Sequence, residues 1–188
     1  MLFRSPSRVA SYLIKAANAY GGKMSSSVDT LANEAAKFVT IEPGSNENLR
    51  MDFPPLSPNL PIDAQAELSM ISLVNKERSA KGIHPLRIDT RMSAVAEAKS
   101  RDMFAKNYFA HTDGDGKNVG DHMREAAIEY TVVGENLAFA PDTQTAHNGL
   151  MYSPGHKANI LDPVFYRIGI GVIDAGIYGK MYTQVFAD

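Results

Sequence analysis

Two segments near the C-terminal end alternate between large and small or polar side chains. Residues 168–172 place Ile and Val on alternate positions with Gly169 and Gly171 between them, and residues 181–186 alternate in the same way. A period of two is typical of a β-strand with two different faces. Residues 174–176 (Asp-Ala-Gly) form a turn sequence between them. The sequence therefore predicts two antiparallel strands at the end of the chain.

Helical patterns come before these strands. Asp63 is a candidate N-cap for a helix with Leu68, Ile71 and Val74 on one face, and Gly82 is its natural terminator. Further helices are expected at about residues 90–106, 119–130 and 143–152, with an extended segment at 131–139. Helices first and antiparallel strands late predict an α+β domain built in layers.

The remaining chain divides into three zones. Residues 1–40 contain apolar residues at helical spacing and predict an N-terminal helical extension. Residues 41–61 are rich in Pro, Asn and Ser, which predicts an extended linker that lacks regular secondary structure and runs over the surface. Residues 62–188 form the expected compact domain.

Composition excludes several classes of function. The net charge is -2, so no overall basic field is available to hold nucleic acid. The chain has no cysteine, which excludes disulfides and thiolate chemistry. No stretch is long and apolar enough for a membrane span. The first 23 residues are basic, but they do not contain a clear signal peptide.

Three polar residues stand in distinctive surroundings. His111 lies in the sequence FAHTDGDG, Glu135 in GENLA and His156 in SPGHKANIL. In the last segment Ser153 is a good N-cap, and proline suits the first helical position. His156 then lies in the first turn of a short helix, where the positive helix end should lower its pKa, whereas a nearby Glu135 should raise it, so the net direction stays open.

These segments resemble the CAP superfamily, the family of cysteine-rich secretory and pathogenesis-related-1 proteins, in its cysteine-free bacterial form. FAHTDGDG, GENLA, SPGHKANIL, RIGIGV and YTQVF follow one another in the family's order. The resemblance implies an α-β-α sandwich with a surface cleft lined by His111, Glu135 and His156. Many relatives carry a second glutamate three residues after a tryptophan, and those positions are Leu150 and Ser153 here. Ser153 is therefore expected at the edge of the cleft.

Two chemistries are open for this cleft. His111, His156 and Glu135 could supply three ligands to zinc or another divalent cation, or they could form a polar cleft that holds no metal. Ser153, His156 and Glu135 could also be interpreted as nucleophile, base and acid. The proline after Ser153 favours a capping role for that serine instead.

The leading hypothesis is a ligand-binding domain at the cell surface or outside the cell, a location that the resemblance implies. Its ligand would be a small molecule, lipid, glycan or peptide. One alternative is a metal-dependent hydrolase that uses the same cleft. Another is a structural or adhesive module whose N-terminal helices contact a partner or a second chain. Whether the protein is an enzyme stays open at this point. His84 and His122 are expected at the surface, and His147 is a weaker candidate for the cleft.

Overall fold

The computed structural model describes residues 38–188, so the helical extension predicted for residues 1–40 lies outside the described residues except at its end. The strands are β1 (Val39–Thr40), β2 (Leu49–Arg50), β3 (Arg87–Ile88), β4 (Tyr108–Phe109), β5 (Val133–Ala140), β6 (Arg167–Asp174) and β7 (Lys180–Ala187). The helices are α1 (Ala64–Ala80), α2 (Thr90–Lys106), α3 (Val119–Glu125), α4 (Thr143–Tyr152) and α5 (Pro154–Leu161), with a 3-10 turn at Gly176–Tyr178.

One five-stranded sheet forms the middle layer, in the order β1-β5-β7-β6-β3. β5, β6 and β7 pair antiparallel, and β3 adds in parallel to β6. A separate pair joins β2 to β4. The predicted C-terminal hairpin is confirmed, and β5 extends its sheet on the side of β7.

The sheet is covered on both faces because its strands alternate apolar residues on each side. Ala138, Tyr182 and Phe186 pack with α1, α4 and α5. Leu137 on the opposite face packs with α2, and Val185 does the same further along the sheet. The α-β-α sandwich is therefore confirmed as three layers.

Two glycines of β6 allow α2 to lie close to the sheet. A Cβ atom at Gly171 would lie 2.1 Å from the backbone nitrogen of Glu97, and one at Gly169 would lie 2.2 Å from the backbone carbon of Met92. These distances leave no room for any side chain at either position. The alternation of glycine that predicts a strand also marks the contact of that strand with α2.

The third helix is shorter than its predicted span of 119–130. α3 ends at Glu125, and Ala127 adopts a positive φ of 52° that a continuing helix does not allow. Within residues 38–188, no helix combines the length and the hydrophobicity of a membrane span.

The prediction that residues 41–61 are a surface linker without regular secondary structure is wrong for the first half of that segment. Leu49 and Arg50 form a strand, and Ile41, Met51 and Phe53 are buried in the cluster that contains Phe109 and Phe139. The rest of the segment, residues 41–48 and 51–61, contains no strand or helix. A boundary at residue 62 therefore cuts through a hydrophobic cluster.

Candidate functional site

His111 and Glu135 form one half of the candidate site. His111 follows β4, and Glu135 lies near the start of β5. Nδ1 of His111 lies 2.7 Å from Oε2 of Glu135, and both side chains are buried. Nε2 of His111 lies 3.0 Å from the carbonyl oxygen of Ile41.

The hydrogen positions on His111 follow from these contacts. The Ile41 carbonyl can only accept, so Nε2 carries a hydrogen and donates to it, while Nδ1 shares a hydrogen bond with the carboxyl group of Glu135. Neither nitrogen is free to bind a metal ion in this arrangement, because a metal ligand must offer a lone pair.

His156 and Ser153 form the other half of the site. Ser153 is the N-cap of α5, although its Oγ lies 3.5 Å from the backbone nitrogen of His156. The same Oγ lies 2.5 Å from Nδ1 of His156 and 2.5 Å from Oε1 of Glu42. The hydroxyl has one hydrogen, which it donates to the carboxylate while it accepts from Nδ1 of the ring. Ser153 therefore caps α5 and also connects His156 to Glu42 through hydrogen bonds.

This arrangement contradicts a nucleophile, base and acid built from Ser153, His156 and Glu135. Glu135 contacts His111 rather than His156. The serine lies between the histidine and an acid, whereas a nucleophilic serine donates its hydrogen to the histidine. The capping role predicted for Ser153 is confirmed.

Two asparagines hold α5 against β5. The Asn136 side chain donates to the carbonyl of His156 at 3.1 Å. Asn159 donates to Oδ1 of Asn136 at 2.9 Å and to the carbonyl of Glu135 at 3.3 Å. Asn136 and Asn159 therefore fix the helix that carries His156 relative to the strand that carries Glu135.

Residues 38–43, which we call the strap, connect the two halves. The Ile41 carbonyl contacts His111, and the Glu42 carboxylate contacts Ser153. The Glu42 carboxylate and the Ile41 backbone each raise the pKa of His156. The acid that the sequence lacks at position 153 is supplied here by Glu42, which sequence reasoning missed because it lay in the supposed linker.

His156 is buried and lacks a complete set of partners. Its Nε2 has no hydrogen-bond partner among the described residues. Burial lowers the pKa of His156 to about 4, which outweighs the opposing effects of Glu42 and Ile41. The sequence pointed to the helix start and to Glu135 as opposing influences on this pKa, whereas burial is its main cause in the structure.

The lowered pKa of His156 makes stability depend on pH. Its unperturbed pKa is about 6.5, so the unfolded chain takes up a proton before the folded chain does. Above about pH 6.5 this histidine does not lower the free energy of unfolding. As the pH falls to about 4, protonation of His156 in the unfolded chain progressively lowers that free energy. The wild type should lose on the order of 3 kcal/mol more stability between pH 7 and pH 4 than His156→Gln. Urea denaturation across this pH range measures the difference, and parallel curves for the two proteins would contradict it.

The other polar residues have different surroundings. Lys99, which the sequence did not single out, is buried near Glu135, and burial lowers its pKa. His147 is buried, and its Nε2 lies 3.9 Å from Oε1 of Glu77 in α1. It therefore faces α1, whereas the sequence made it a weaker candidate for the cleft. His84 stacks on Tyr166 at 4.0 Å between ring centroids. His122 is partly exposed and pairs with Asp113 at 3.1 Å.

The described residues do not fit a divalent cation as they stand. Within residues 38–188, no group of three or more His, Asp or Glu side chains is placed so that it could share a metal ion. The donors predicted for zinc, His111, Glu135 and His156, offer only Nε2 of His156 as an unused nitrogen.

Comparisons with known proteins agree with this architecture. The sequence model of the cysteine-rich secretory protein family (CAP) matches residues 71–186. The uncharacterized protein YkwD of Bacillus subtilis is 39% identical over 121 residues, which are 64% of this chain and 46% of that protein. The chain thus spans less than half the length of this relative.

Solved structures show the same fold. An extracellular protein containing an SCP domain from Bacillus anthracis has a TM-score of 0.61 and 31% identity, covering 65% of this chain and 40% of that one. An outer surface protein from Borrelia burgdorferi has a TM-score of 0.63 at 17% identity and covers 66% of this chain and 93% of that one, a likeness of fold alone. The chain itself contains no cysteine. Because the family model matches residues 71–186 and the fold is the α-β-α sandwich, this chain belongs to the CAP family of cysteine-rich secretory proteins.

Proposed function

We propose that this protein is a ligand-binding domain that works at the cell surface or outside the cell, and that its ligand occupies the site between His111, Glu135, Ser153 and His156. The observation that carries the proposal is Nε2 of His156, a buried nitrogen without a hydrogen-bond partner among the described residues. Such a group costs stability unless a ligand or another partner uses it.

The neighbouring residues support the same function. His111, Glu135 and His156 are all buried. Nε2 of His111 contacts the Ile41 carbonyl, and Ser153, which contacts His156, donates to Glu42, so the cluster faces residues 41–42. A buried polar cluster is costly unless it is satisfied, and proteins retain such clusters where they recognise something. An extracellular location is supported by the Bacillus anthracis relative, which is described as extracellular.

The hydrolase hypothesis has less support than binding. Both ring nitrogens of His111 face acceptor oxygens, and Glu135 is engaged by His111, so neither is placed to act on water. The adhesive hypothesis depends on residues 1–37, which lie outside the described part of the chain. We therefore propose binding, with a lipid, a glycan or a peptide as the class of ligand.

Saturation-transfer NMR with the full chain tests this function. The probes are palmitate, chitotetraose and an equimolar mixture of unrelated octapeptides. We expect at least one class to bind, and His111→Gln to weaken its binding about tenfold, since a loss of about 1.4 kcal/mol is a factor of ten. His84→Ala is the control and should bind as the wild type does.

Two results would contradict the proposed function. One is the absence of transfer to all three probes. The other is equal weakening by His84→Ala and by His111→Gln, which would show that the site is misassigned. Circular dichroism melts of both variants confirm that they are folded under the conditions of the NMR measurement.

A further inference from the structure

The strap lies on the sheet as an added edge strand. β1 pairs antiparallel with β5, with Val39 opposite Phe139 and Thr40 opposite Ala138. Among the described strands β1 is the outer one on this side, so β5 without the strap would present its edge to solvent. Addition of an extended segment to a sheet edge is a common way for proteins to bind peptides.

The polar groups of the site contact the strap as they would contact a peptide. His111 donates from Nε2 to a main-chain carbonyl, that of Ile41, at 3.0 Å. Ser153 donates to a side-chain carboxylate, that of Glu42, at 2.5 Å. The Ile41 side chain is only 2% exposed and lies in the apolar cluster that contains Phe109 and Phe139.

Two glycines make room for the strap. A Cβ atom at Gly149 of α4 would lie 2.4 Å from the Phe38 ring, and one at Gly155 of α5 would lie 2.3 Å from the Glu42 carboxylate. At both positions the three nearest atoms all belong to strap residues. The surfaces of α4 and α5 are therefore shaped to the segment that lies on them.

The residues after the strap have backbone hydrogen bonds that do not involve it. Leu49 and Arg50 pair with β4, and the backbone nitrogens of Met51 and Phe53 donate to Asn107 at 2.9 and 3.0 Å. The strap itself has a two-residue strand. Its departure would uncover part of the hydrophobic cluster that Ile41 shares with Leu49, Met51 and Phe53, but residues 49–53 would keep these backbone hydrogen bonds.

We propose that the site is a groove for an extended peptide, and that the strap is its resident occupant, which an external peptide displaces. The inference rests on the proposed function and names its class of ligand. The preferred peptide has an aromatic residue, an aliphatic residue three positions later and an acidic residue directly after that, as Phe38, Ile41 and Glu42 have. Because the strap competes, the wild type binds such a peptide more weakly than the open groove would.

Fluorescence anisotropy with a labelled synthetic peptide of sequence FVTIEPGS, residues 38–45, tests the inference. The full chain carrying Phe38→Ala and Glu42→Ala is compared with the wild type. These changes remove the two strap side chains that lie against Gly149 and Gly155, and they leave the room at both glycines free for the phenylalanine and the glutamate of the peptide. We expect the double variant to bind the peptide at least about tenfold more tightly, a gain of about 1.4 kcal/mol in binding free energy.

Three controls accompany this experiment. Gly114→Ala places a Cβ where no atom lies within 4 Å, so it should bind as the wild type does. A peptide with lysine in place of glutamate, FVTIKPGS, should lose the gain because Ser153 can no longer donate to a carboxylate. Gly149→Ala with Gly155→Ala, added to the opened variant, fills the space that the strap and the peptide share, so it should abolish the gain.

Several outcomes would overturn the inference. It fails if the opened variant binds FVTIEPGS no more tightly than the wild type, if FVTIKPGS binds equally well, or if filling Gly149 and Gly155 leaves the gain unchanged. It also fails if an opened variant forms dimers in light scattering without taking up peptide, because the occupant would then be a second copy. Binding of palmitate or chitotetraose without the peptide would overturn the ligand class and leave the proposed function standing.

Discussion

Replacing Arg78 by methionine should lower the free energy of unfolding by about 3–5 kcal/mol, the range for breaking a buried charged network. Arg78 is fully buried in α1. Its guanidinium donates to the carbonyls of His84, Ile160, Asp162 and Phe165 at 2.8 to 3.0 Å. Methionine has similar length but no donor, so it would leave four carbonyls without that partner.

The position of these carbonyls connects Arg78 to the site. Ile160 and Asp162 lie at the end of α5, where the helix carries partial negative charge that a cation stabilises. Arg78 thus ties α1 to the helix that carries His156. Arg78→Lys should recover little of the lost stability, because one ammonium group cannot donate to four carbonyls as the planar guanidinium does.

Urea denaturation followed by circular dichroism measures this effect. Arg91→Met is the matched control, since its side chain is 63% exposed and its contact with Asp89 is 3.6 Å long. The control should stay within about 0.5 kcal/mol of the wild type. A loss below about 1 kcal/mol for Arg78→Met would show that these hydrogen bonds are not formed in solution.

Local sequence signals predicted most of the helices well. The predicted spans 90–106 and 143–152 match α2 and α4, whose N-caps are Asp89 and Asp142. These helices carry their own start signals close to where they begin, so the information is local. The predicted span 119–130 failed at its end because the turn at Ala127 depends on a positive φ that nothing in that sequence marks.

The strap could not be predicted from local sequence. Its strand is two residues long, and its proline and asparagine neighbours favour an interpretation as a linker. Its partners are distant along the chain, since Glu42 and Ser153 are 111 positions apart. Contacts over such separations depend on the whole fold, which neither periodicity nor motifs encode.

The candidate site was predicted in part. The motifs pointed to His111, Glu135, Ser153 and His156, and the structure brings these residues together in two pairs that the strap connects. The motifs could not show that Nε2 of His111 is hydrogen-bonded to the Ile41 carbonyl. The residue types alone therefore favoured a metal site, whereas the peptide ligand that we propose rests on the contacts with the strap.

A disulfide between positions 40 and 138 should lock the strap and abolish peptide binding. Thr40 and Ala138 face each other across β1 and β5. Facing residues of paired strands have Cβ atoms about 4.5–5.5 Å apart, close to the roughly 3.8 Å that a disulfide spans. The chain has no cysteine of its own, so a Thr40→Cys and Ala138→Cys pair can bond only with each other or with another molecule.

The most direct measurement places this cysteine pair in the Phe38→Ala, Glu42→Ala background and compares FVTIEPGS binding before and after reduction. We predict an intramolecular disulfide with no free thiol, peptide binding at least about tenfold weaker in the oxidised protein, and full recovery on reduction. The single variants Thr40→Cys and Ala138→Cys should show no dependence on reductant. Two free thiols after oxidation, or equal peptide binding in both states, would contradict the account that residues 38–43 occupy the binding groove.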